Sequence, residues 1–523
     1  MCRRELLIFW LADALGGGIG QNHGPFSRPI PLKDTDPVVI IEAIPAESLR
    51  RAVPLHGVTS HPFGDFTMRN MSRRDFLERS KTTGLGLAAG VTLLHNARSV
   101  RGAPANDKIV LGLIGAGGRG PHLAVGFLER GDCEFAYIAD PNTTVFDSRA
   151  KRLADQQGGK KPECVEDLRR VLDDKAVDAV VVATPDHWHA PSTVWACQAG
   201  KDVYVEKPPT HSCWEGQKMV EAARKYKRVV QCGFQNRSAP YNMAARKYIE
   251  EGKLGTIHMC RIYNQKPPWG TCPVVPDSDP PAGLNWDIWN GPAPEHRFNK
   301  SWHRCWHHQW RYSGGDIAND ASHQIDLARW LLGVKYPKTV YSVGGRFAHP
   351  AAAQTPDSQI ALYEFDNMVV SFELTLYGGY ILKTDGYVRD HDMFPYWMQN
   401  STRIEIYGTK GMMIVGRHGG GWQVFVRPKS RQPVVKDQMY GRFPDPDHKE
   451  NFVQCIRSRA LPNADVAKGH LSCLMIHYGN ISYRLGGQKL SIDPETEHIK
   501  DNPKAMELFK RTYRKPYVIP EEV

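Results

Sequence analysis

The first clear pattern of apolar positions is a short run that leads into a group of glycines. Residues 109–114 are apolar or glycine throughout, which predicts a strand buried on both faces, and residues 121–130 have the pattern of a helix. The segment between them has the form Gly-x-Gly-x-x-Gly. Gly115 allows the tight turn, Gly117 lets the backbone approach a pyrophosphate, and Gly120 lets the helix pack closely on the strand. A glycine-rich turn without a ligand is the alternative, which the flanking strand and helix disfavour.

A second apolar segment, residues 134–139, ends in an acidic residue. Asp140 follows the last glycine of the motif by about twenty residues, where a carboxylate binds a ribose 2′-hydroxyl. This carboxylate would repel a 2′-phosphate, and no arginine follows it immediately, so NAD is favoured over NADP. We therefore expect Asp140 to bind NAD together with the glycine loop, including Gly118 and Arg119.

Strands and helices alternate as far as residue 234, which predicts a doubly wound parallel sheet. The further predicted strands and helices are 164–174 (helix), 176–183 (strand), a helix that ends at 199, 202–205 (strand), 214–227 (helix) and 229–233 (strand). Two polar loops follow strands at the edge where such sheets bind ligands. From these loops we expect the following residues to contact the cofactor: Thr184, Pro185, His187, His189, Glu206 and Lys207.

The pattern changes after residue 234. A helix at 241–251 is followed by a series of strands, and two helices, 449–457 and 469–485, come near the end. The predicted strands are 257–263, 339–347, 359–365, 368–376, 402–407 and 422–427. Several strands in succession favour an antiparallel sheet. We expect a dinucleotide-binding domain at 106–234, a second α/β domain at 235–490 whose last helices pack back on the first, and a tail at 491–523.

Composition excludes some classes of function. The chain has 523 residues, of which 41% are hydrophobic and 24% charged, as in an ordinary globular protein of two or three domains. The formal charge of +11 is spread out without a block of basic residues, so nucleic acid is not an expected partner. The eleven cysteines lack the paired spacing of a metal site, and no apolar run reaches the roughly eighteen residues of a membrane span.

The first hundred residues contain the pattern of an export signal. Ser72-Arg73-Arg74-Asp75-Phe76-Leu77 precedes an apolar run at 84–94, and Ala103-Pro104-Ala105 is a candidate cleavage site. The paired arginines followed by Phe-Leu resemble a twin-arginine signal, with an amphipathic helix as the alternative. We expect residues 68–105 to be this signal, with translation starting at Met68 or Met71, and residues 1–67 to be a non-native or disordered extension. The mature protein would be periplasmic, with peripheral or no membrane contact.

Several motifs together resemble the Gfo/Idh/MocA oxidoreductases, which include glucose–fructose oxidoreductase and inositol dehydrogenase. They are GAGGRG, Asp140 at a strand end, TPDHWH followed by AGKDVYVEKP, and GGDIANDASHQIDLARWLLG, and the resemblance spans about residues 107–490. It implies a Rossmann domain and a C-terminal α/β domain with an open, mainly antiparallel sheet. The substrate would lie between that sheet and the nicotinamide, with Lys207 touching the reacting hydroxyl. An ammonium group there would stabilise negative charge as the proton leaves.

The same resemblance singles out a helix within residues 314–327. In the family this helix carries an aspartate and, four residues later, a catalytic histidine on the same face. Alignment on His323 places Asn319 at the acid position, while Asp320 is one residue away. An amide binds a hydroxyl but cannot take its proton, so His323 becomes the main candidate base, with Asn319 and Asp320 as further catalytic candidates. A purely structural role for His323 is the alternative.

Aromatic residues precede this helix, and a Pro- and Trp-rich segment, 266–294, is expected to cover the cleft as a long loop. Aromatic rings stack on the apolar faces of sugars. The candidate substrate-binding residues are Trp188, Trp302, His303, Trp306 and Trp310. His303 and His307 could share a helical face, but without a third ligand no metal site is predicted.

These features support an exported oxidoreductase that acts on a sugar, polyol or glycoside hydroxyl, with tightly bound NAD recycled in place. A second hypothesis is an NAD-dependent glycoside hydrolase or lyase that works through a transient 3-keto intermediate. A third is a sugar sensor that keeps the fold without catalysis. The resemblance also implies that the chain could form a homo-oligomer through its C-terminal sheet.

Overall fold

The computed structural model of the protein describes residues 108–267, 272–348, 352–381, 383–429 and 432–523. The interpretations of residues 1–105, as an extension and a twin-arginine signal, lie outside the described residues. Within the described ranges, no helix is both long enough and apolar enough to cross a membrane.

A six-stranded parallel sheet forms the first domain, in the order β3-β2-β1-β4-β5-β6. The strands are β1 (Ile109–Ile114), β2 (Cys133–Ala139), β3 (Glu163–Val165), β4 (Ala179–Val182), β5 (Asp202–Val205) and β6 (Val230–Cys232). The residues of β4 and β5 are all buried, because helices cover both faces of the sheet. The predicted doubly wound fold is confirmed. The strand order reverses between β1 and β4, which is where such sheets bind ligands.

The helices of this domain are α1 (Arg119–Leu128), α2 (Phe146–Gln156), α3 (Leu168–Asp173), α4 (His189–Gln198) and α5 (Cys213–Lys225). The prediction of one helix over 164–174 is wrong in its first part, because β3 pairs there with β2. Asp167 begins α3, since its carboxylate accepts a hydrogen bond from the Arg169 backbone N at 2.9 Å. This cap satisfies an N–H that has no partner within the helix.

A nine-stranded sheet forms the described part of the second domain, in the order β14-β13-β12-β11-β7-β10-β9-β8-β15. The strands are β7 (Ile257–Gln265), β8 (Thr339–Gly345), β9 (Ser358–Glu364), β10 (Val369–Thr375), β11 (Ile404–Gly408), β12 (Gly411–Val415), β13 (Trp422–Val426), β14 (Val434–Met439) and β15 (Leu490–Ser491). β7 pairs with β10 in parallel, and the other neighbouring strands of this sheet pair antiparallel. The mainly antiparallel sheet is confirmed. β14 was not predicted, because all its residues are exposed and it lacks apolar alternation.

The helices of the second domain are α6 (Pro240–Glu250), α7 (Trp286–Asn290), α8 (Lys300–Arg304), α9 (Asp316–Asn319), α10 (Ser322–Leu332), α11 (Gly386–Asp390), α12 (Asp445–Ser458), α13 (Val466–Arg484) and α14 (Pro503–Glu507). α10 and α13 cover one face of the sheet and share its core. α12 reaches the first domain, where the Phe452 ring lies 6.0 Å from that of Phe127. Asp326 of α10 forms a buried ion pair with Arg237, as expected of a structural residue.

Residues 491–523 are packed against the rest of the chain over much of their length. Tyr517 and Ile519 are buried in the core of the first domain. The indole Nε1 of Trp195 donates a hydrogen bond to the Val518 carbonyl at 3.1 Å. The Tyr517 hydroxyl donates to Asp287 on α7 at 2.7 Å, so this segment joins α7 to the dinucleotide domain.

Candidate active site

A cavity of about 610 Å³ lies at the carboxyl ends of β1, β4 and β5, between the two domains. The first domain contributes the glycine loop and the loops after β2, β4 and β5. The second contributes part of α7 and residues near 303–306, 319–323, 389, 418 and 443. The cavity therefore lies where the strand order of the first sheet reverses.

The glycine loop has the geometry that the motif predicts. Gly115 has φ +92°, and a Cβ there would lie 2.7 Å from the Ala183 backbone. A Cβ at Gly120 would lie 2.0 Å from the Gly115 carbonyl oxygen, which shows how closely α1 approaches β1. In contrast, a Cβ at Gly117 or Gly118 would meet nothing within 4 Å, and both residues line the cavity. This open backbone at the start of α1 fits the pyrophosphate of a dinucleotide.

Asp140 lies at the end of β2 and lines the same cavity. Its Oδ2 accepts a hydrogen bond from the Ala116 backbone N at 2.7 Å, and its Oδ1 accepts one from the Asn142 N at 2.9 Å. Burial raises the pKa of this carboxyl, and the two backbone bonds partly oppose the shift. Asp140 thus holds the glycine loop in place and lines the cavity beside it.

We expect Asp140→Ser to weaken NAD⁺ binding by about tenfold to a hundredfold, as for loss of a charge-assisted hydrogen bond. The preference for NAD⁺ over NADP⁺ should fall as well, because the carboxylate no longer repels a 2′-phosphate. Calorimetric titration with both cofactors measures the two effects. Asp147→Ser is the matched control, since Asp147 is exposed on α2. An unchanged cofactor preference would show that Asp140 does not face the ribose.

The two histidines of the loop after β4 have different positions. His189 lines the cavity and joins two loops, with Nε2 2.9 Å from the Thr184 carbonyl and Nδ1 2.7 Å from the Pro208 carbonyl. His187 was expected at the cofactor, but it does not line the cavity. Its Nε2 lies 3.0 Å from the Trp289 carbonyl, so it supports α7 instead.

Lys207, in the loop after β5, lines the same cavity. Its Nζ donates a hydrogen bond to the Asn319 carbonyl across the domain boundary. Burial lowers the pKa of this ammonium, while Glu206, Asp320 and Asp186 oppose the shift. Glu206 accepts a hydrogen bond from Arg119 Nε at 3.0 Å, which ties the loop after β5 to the glycine loop. Thr184 and Pro185 also line the cavity.

The expectation of one helix through Asn319 and His323 is wrong. α9 ends at Asn319 and α10 begins at Ser322, yet both Asn319 and His323 line the cavity. Burial lowers the pKa of His323 well below its usual range, and His418, Arg417 and Lys207 add to the shift. His323 therefore carries no charge at neutral pH. In this form its ring can hydrogen-bond a hydroxyl, but it does not hold a second proton.

Asp320 does not line the cavity, in contrast to its expected catalytic role. Its Oδ1 accepts a hydrogen bond from Arg417 at 2.9 Å, and its Oδ2 lies 2.8 Å from Lys383 Nζ and 3.3 Å from Lys266 Nζ. These three cations hold the pKa of Asp320 well below its ordinary value despite burial. Asp320 is a fixed anion and not a proton acceptor.

Of the aromatic candidates, Trp306 and His303 line the cavity beside Trp289 of α7. The His303 ring lies 4.6 Å from the Trp289 ring, which in turn stacks on Trp286. Segment 266–294 is thus not only a loop, because α7 contributes a wall of the site. His303 belongs to α8 and His307 to a separate turn, so the two do not share a helical face. The described residues contain no group of three side chains suited to a metal.

Three tryptophans have other positions than expected. Trp302 lies beneath the Arg311 guanidinium, at 4.5 Å, and does not line the cavity. Trp310 lies under Arg484, at 5.1 Å, and is also outside it. Trp188 borders the cavity, but its ring is buried against Trp195 and Tyr517 and is not an open stacking surface.

Asp186 is a cavity residue that the sequence did not single out as functional. It is buried, and its Oδ2 accepts a hydrogen bond from the Ser313 hydroxyl at 2.5 Å. Burial raises its pKa to about 7, while Ser313 and Lys207 oppose the shift. Its position in the loop after β4, at the edge of the sheet that binds ligands, is the sequence signal that could have identified Asp186 as a site residue. Arg389 and His418 were also missed, because Arg389 lies on the short helix α11 and His418 in a loop, and neither segment carries a recognisable motif.

Comparison with known families agrees with this geometry. A family model for an oxidoreductase with an NAD-binding Rossmann fold matches residues 109–234. A model of the GFO/IDH/MocA C-terminal domain matches 289–414, and one of an oxidoreductase C-terminal alpha/beta domain matches 405–519. Together these matches cover more than half of the chain. The chain belongs to the Gfo/Idh/MocA family of NAD-binding oxidoreductases.

Individual relatives are more distant. Levoglucosan dehydrogenase of Pseudarthrobacter phenanthrenivorans is 30% identical over 196 residues, which span 38% of this chain but only 42% of that protein. The scyllo-inositol 2-dehydrogenase (NAD(+)) of Bacillus subtilis is 26% identical over 330 residues, 62% of this chain and 79% of that protein. An alpha-N-acetylgalactosaminidase of Shewanella oneidensis is 30% identical over 167 residues, 28% and 36% of the two chains. The solved levoglucosan dehydrogenase complex with NADH and levoglucosan has a TM-score of 0.54 at 20% identity, over 73% of this chain and 99% of that one.

Proposed function

We propose that this protein oxidises a hydroxyl group of a sugar, polyol or glycoside and transfers the hydride to NAD⁺. The observation that carries the proposal is a single cavity lined both by the dinucleotide loop and by Lys207, Asn319 and His323. Relatives named for levoglucosan and scyllo-inositol support the substrate class. The test is a panel of sugars and polyols, with reduction of bound NAD⁺ followed at 340 nm. Binding of NADH without reduction by any member of the panel would overturn the proposal in favour of a sugar-binding protein.

NAD⁺, when bound, supplies the hydride acceptor, and the chain handles the proton. The Lys207 ammonium stabilises negative charge on the substrate oxygen, and burial lowers its pKa, which makes it easier for Lys207 to release a proton. The neutral His323 and the Asn319 side chain orient the hydroxyl. Trp289, Trp306 and His303 form the wall against which the apolar face of a sugar ring packs.

The pH dependence should be set by Asp186. Its ionised carboxylate beside Lys207 favours proton uptake, so oxidation should slow as the pH falls below about 7. Asp186→Asn should remove this inflection and lower kcat by about tenfold to a hundredfold, as for a group that assists proton transfer. Initial rates between pH 5 and 9 measure both effects. An inflection that persists in the variant would assign it to another group.

The same substitution makes a prediction about stability. The pKa of Asp186 is raised from 3.8 to about 7 by folding, so the folded state binds the proton more tightly and loses stability as the pH rises through this interval. Asp186→Asn should therefore raise Tm by roughly 2–4 °C at pH 8 and leave it nearly unchanged at pH 4. Calorimetry at both pH values checks the sign. Ser313→Ala serves as the comparison that removes the hydrogen bond but keeps the carboxyl.

We further propose that the protein is exported folded, with its cofactor bound. The supporting observations are the twin-arginine pattern within residues 68–105 and the scarcity of free nicotinamide cofactor outside the cytoplasm. The cofactor would then be reduced and reoxidised in place. Native mass spectrometry of protein from the periplasmic fraction should show one dinucleotide per chain. Protein found only in the cytoplasm, or without dinucleotide and binding NAD⁺ only at millimolar concentration, would contradict this proposal.

A second candidate function is NAD-dependent glycoside cleavage. It is favoured by the similarity to the Shewanella alpha-N-acetylgalactosaminidase, although that match covers 28% of this chain. Oxidation at C3 would acidify the C2 proton, and loss of this proton together with the C1 substituent would release the aglycone. Water would then add across C1 and C2 in a hydrolase, and the hydride would return to C3. Product analysis separates the two functions. A stable keto-sugar supports oxidation, and a free aglycone without net NADH supports cleavage.

The open face of the C-terminal sheet is the proposed contact of a homo-oligomer. Exposed apolar side chains alternate with buried ones on β8, β9 and β10, among them Tyr341, Val343, Ile360, Leu362 and Val369. Such a surface is unusual for a monomer. Light scattering of the purified protein tests the proposal, and Leu362→Glu should dissociate an oligomer. A monomeric wild-type protein would overturn it.

A further inference from the structure

A group of cationic side chains lies in and around the cavity. Lys207, Lys266, Lys383, Arg389 and Arg417 interact electrostatically with one another or with Asp320. The carboxylates that face them are Asp186, Glu206, Asp316, Asp320 and Asp445, with Asp390 exposed beside Arg389. The histidines of this region, His323 and His418, have pKa values well below their usual range and carry no charge at neutral pH. The charge available to a ligand therefore depends on which lysines and arginines have a carboxylate partner.

Arg389 forms no ion pair with any residue in the described part of the chain. Its guanidinium lies 4.4 Å from the centre of the Phe443 ring, and both residues line the cavity. Among the residues that the structure describes, no carboxylate lies within ion-pair distance of Arg389, and its buried Nε has no hydrogen-bond acceptor. A buried guanidinium N–H without an acceptor is costly, so such groups are usually satisfied by a ligand or by water.

Polar groups near Arg389 also lack hydrogen-bond partners within the described ranges, which favours a ligand that accepts hydrogen bonds. His418 lines the cavity and is 8% exposed, and its Nε2 has no partner among the described residues. Arg417 uses Nη2 for Asp320, while its Nε and Nη1 have no acceptor within the described part of the chain. The His418 ring lies 4.1 Å from that of His323, which places this group beside the hydroxyl-binding residues. These donors match the oxygens of a planar anion.

We propose that Arg389, with His418, binds the carboxylate of the substrate, so that the preferred substrate is an acidic sugar such as a uronate or aldonate. This inference rests on the proposed oxidation of a sugar hydroxyl and narrows its substrate class. The carboxylate would anchor the ring while Lys207 faces the hydroxyl that is oxidised. The alternative anion for the same donors is the cofactor pyrophosphate, because Arg119 of the glycine loop also interacts with Arg389.

The test compares each acid with its uncharged amide, using D-glucuronate, D-galacturonate and D-gluconate and the three corresponding amides. The holoenzyme should show a kcat/KM at least a hundredfold higher for at least one acid than for its amide. Arg389→Gln should reduce this ratio to about threefold or less, and Arg389→Lys should restore part of it. The Kd for NADH, measured by fluorescence, should change less than twofold. The control is Arg442→Gln, because Arg442 is exposed and paired with Asp392 outside the cavity.

Three outcomes would overturn the inference. Equal kcat/KM values for every acid and its amide would show that no carboxylate site exists. Equal losses for acids and amides in Arg389→Gln would make Arg389 a structural residue, and a tenfold loss of NADH affinity would assign it to the cofactor phosphates. Oxidation of neutral sugars alone would leave the proposed function standing while this inference fails. No reduction of NAD⁺ by any sugar, acidic or neutral, would overturn both.

Discussion

Lys207→Met is expected to lower kcat/KM for sugar oxidation by about a thousandfold or more, equivalent to ~4 kcal/mol of transition-state stabilisation. The ammonium lines the cavity and donates a hydrogen bond to the Asn319 carbonyl of the second domain. Charge develops on the substrate oxygen as the hydride leaves, so the loss should be mainly in kcat rather than KM. Steady-state rates and single-turnover reduction of bound NAD⁺ measure it.

NADH binding and Tm should separate a chemical role of Lys207 from a structural one. Lys207→Met keeps the length of the side chain and should leave the Kd for NADH within about twofold, since the glycine loop is untouched. Lys151→Met is the matched control, because Lys151 is exposed on α2 and paired with Asp155. Full activity of the Lys207 variant would remove this residue from the proposed reaction and favour a sensor.

Gly120→Ala should abolish measurable NADH binding at micromolar concentration. The new Cβ would lie 2.0 Å from the Gly115 carbonyl oxygen, and backbone on both sides leaves no flexible group to move. Either α1 moves away from β1 or the turn at Gly115 opens, and each change displaces the N–H groups that face the pyrophosphate. Overpacking of this kind costs about 1–3 kcal/mol, so Tm should fall as well. Fluorescence titration and calorimetry provide the two measurements.

The control for this substitution is Gly386→Ala. Gly386 begins α11, and a Cβ there would meet nothing within 4 Å. Its variant should bind NADH normally and keep its Tm. If Gly120→Ala also binds NADH with unchanged affinity, then α1 does not provide the pyrophosphate site.

Local sequence pattern was sufficient for most of the dinucleotide-binding domain, with the exception of β3. The apolar run of β1, the glycines after it and Asp140 lie within one short stretch of chain, and backbone conformation there depends on neighbouring residues. The parallel sheet followed from strands that are apolar throughout because helices cover both faces. The same argument failed for β14, whose exposed residues carry no alternating pattern.

The catalytic end required the tertiary structure. Lys207 meets the Asn319 carbonyl from 112 positions away, and Asp186 meets Ser313 from 127. The helical repeat in the sequence cannot show whether Asn319 or Asp320 faces the cavity, because the helix ends between these two residues. That choice depends on Arg417 and the lysines that draw Asp320 away. The candidate residues and the local turns could thus be predicted from short stretches of sequence. The burial that sets the pKa values, and the unpaired Arg389, arise only where distant segments pack together.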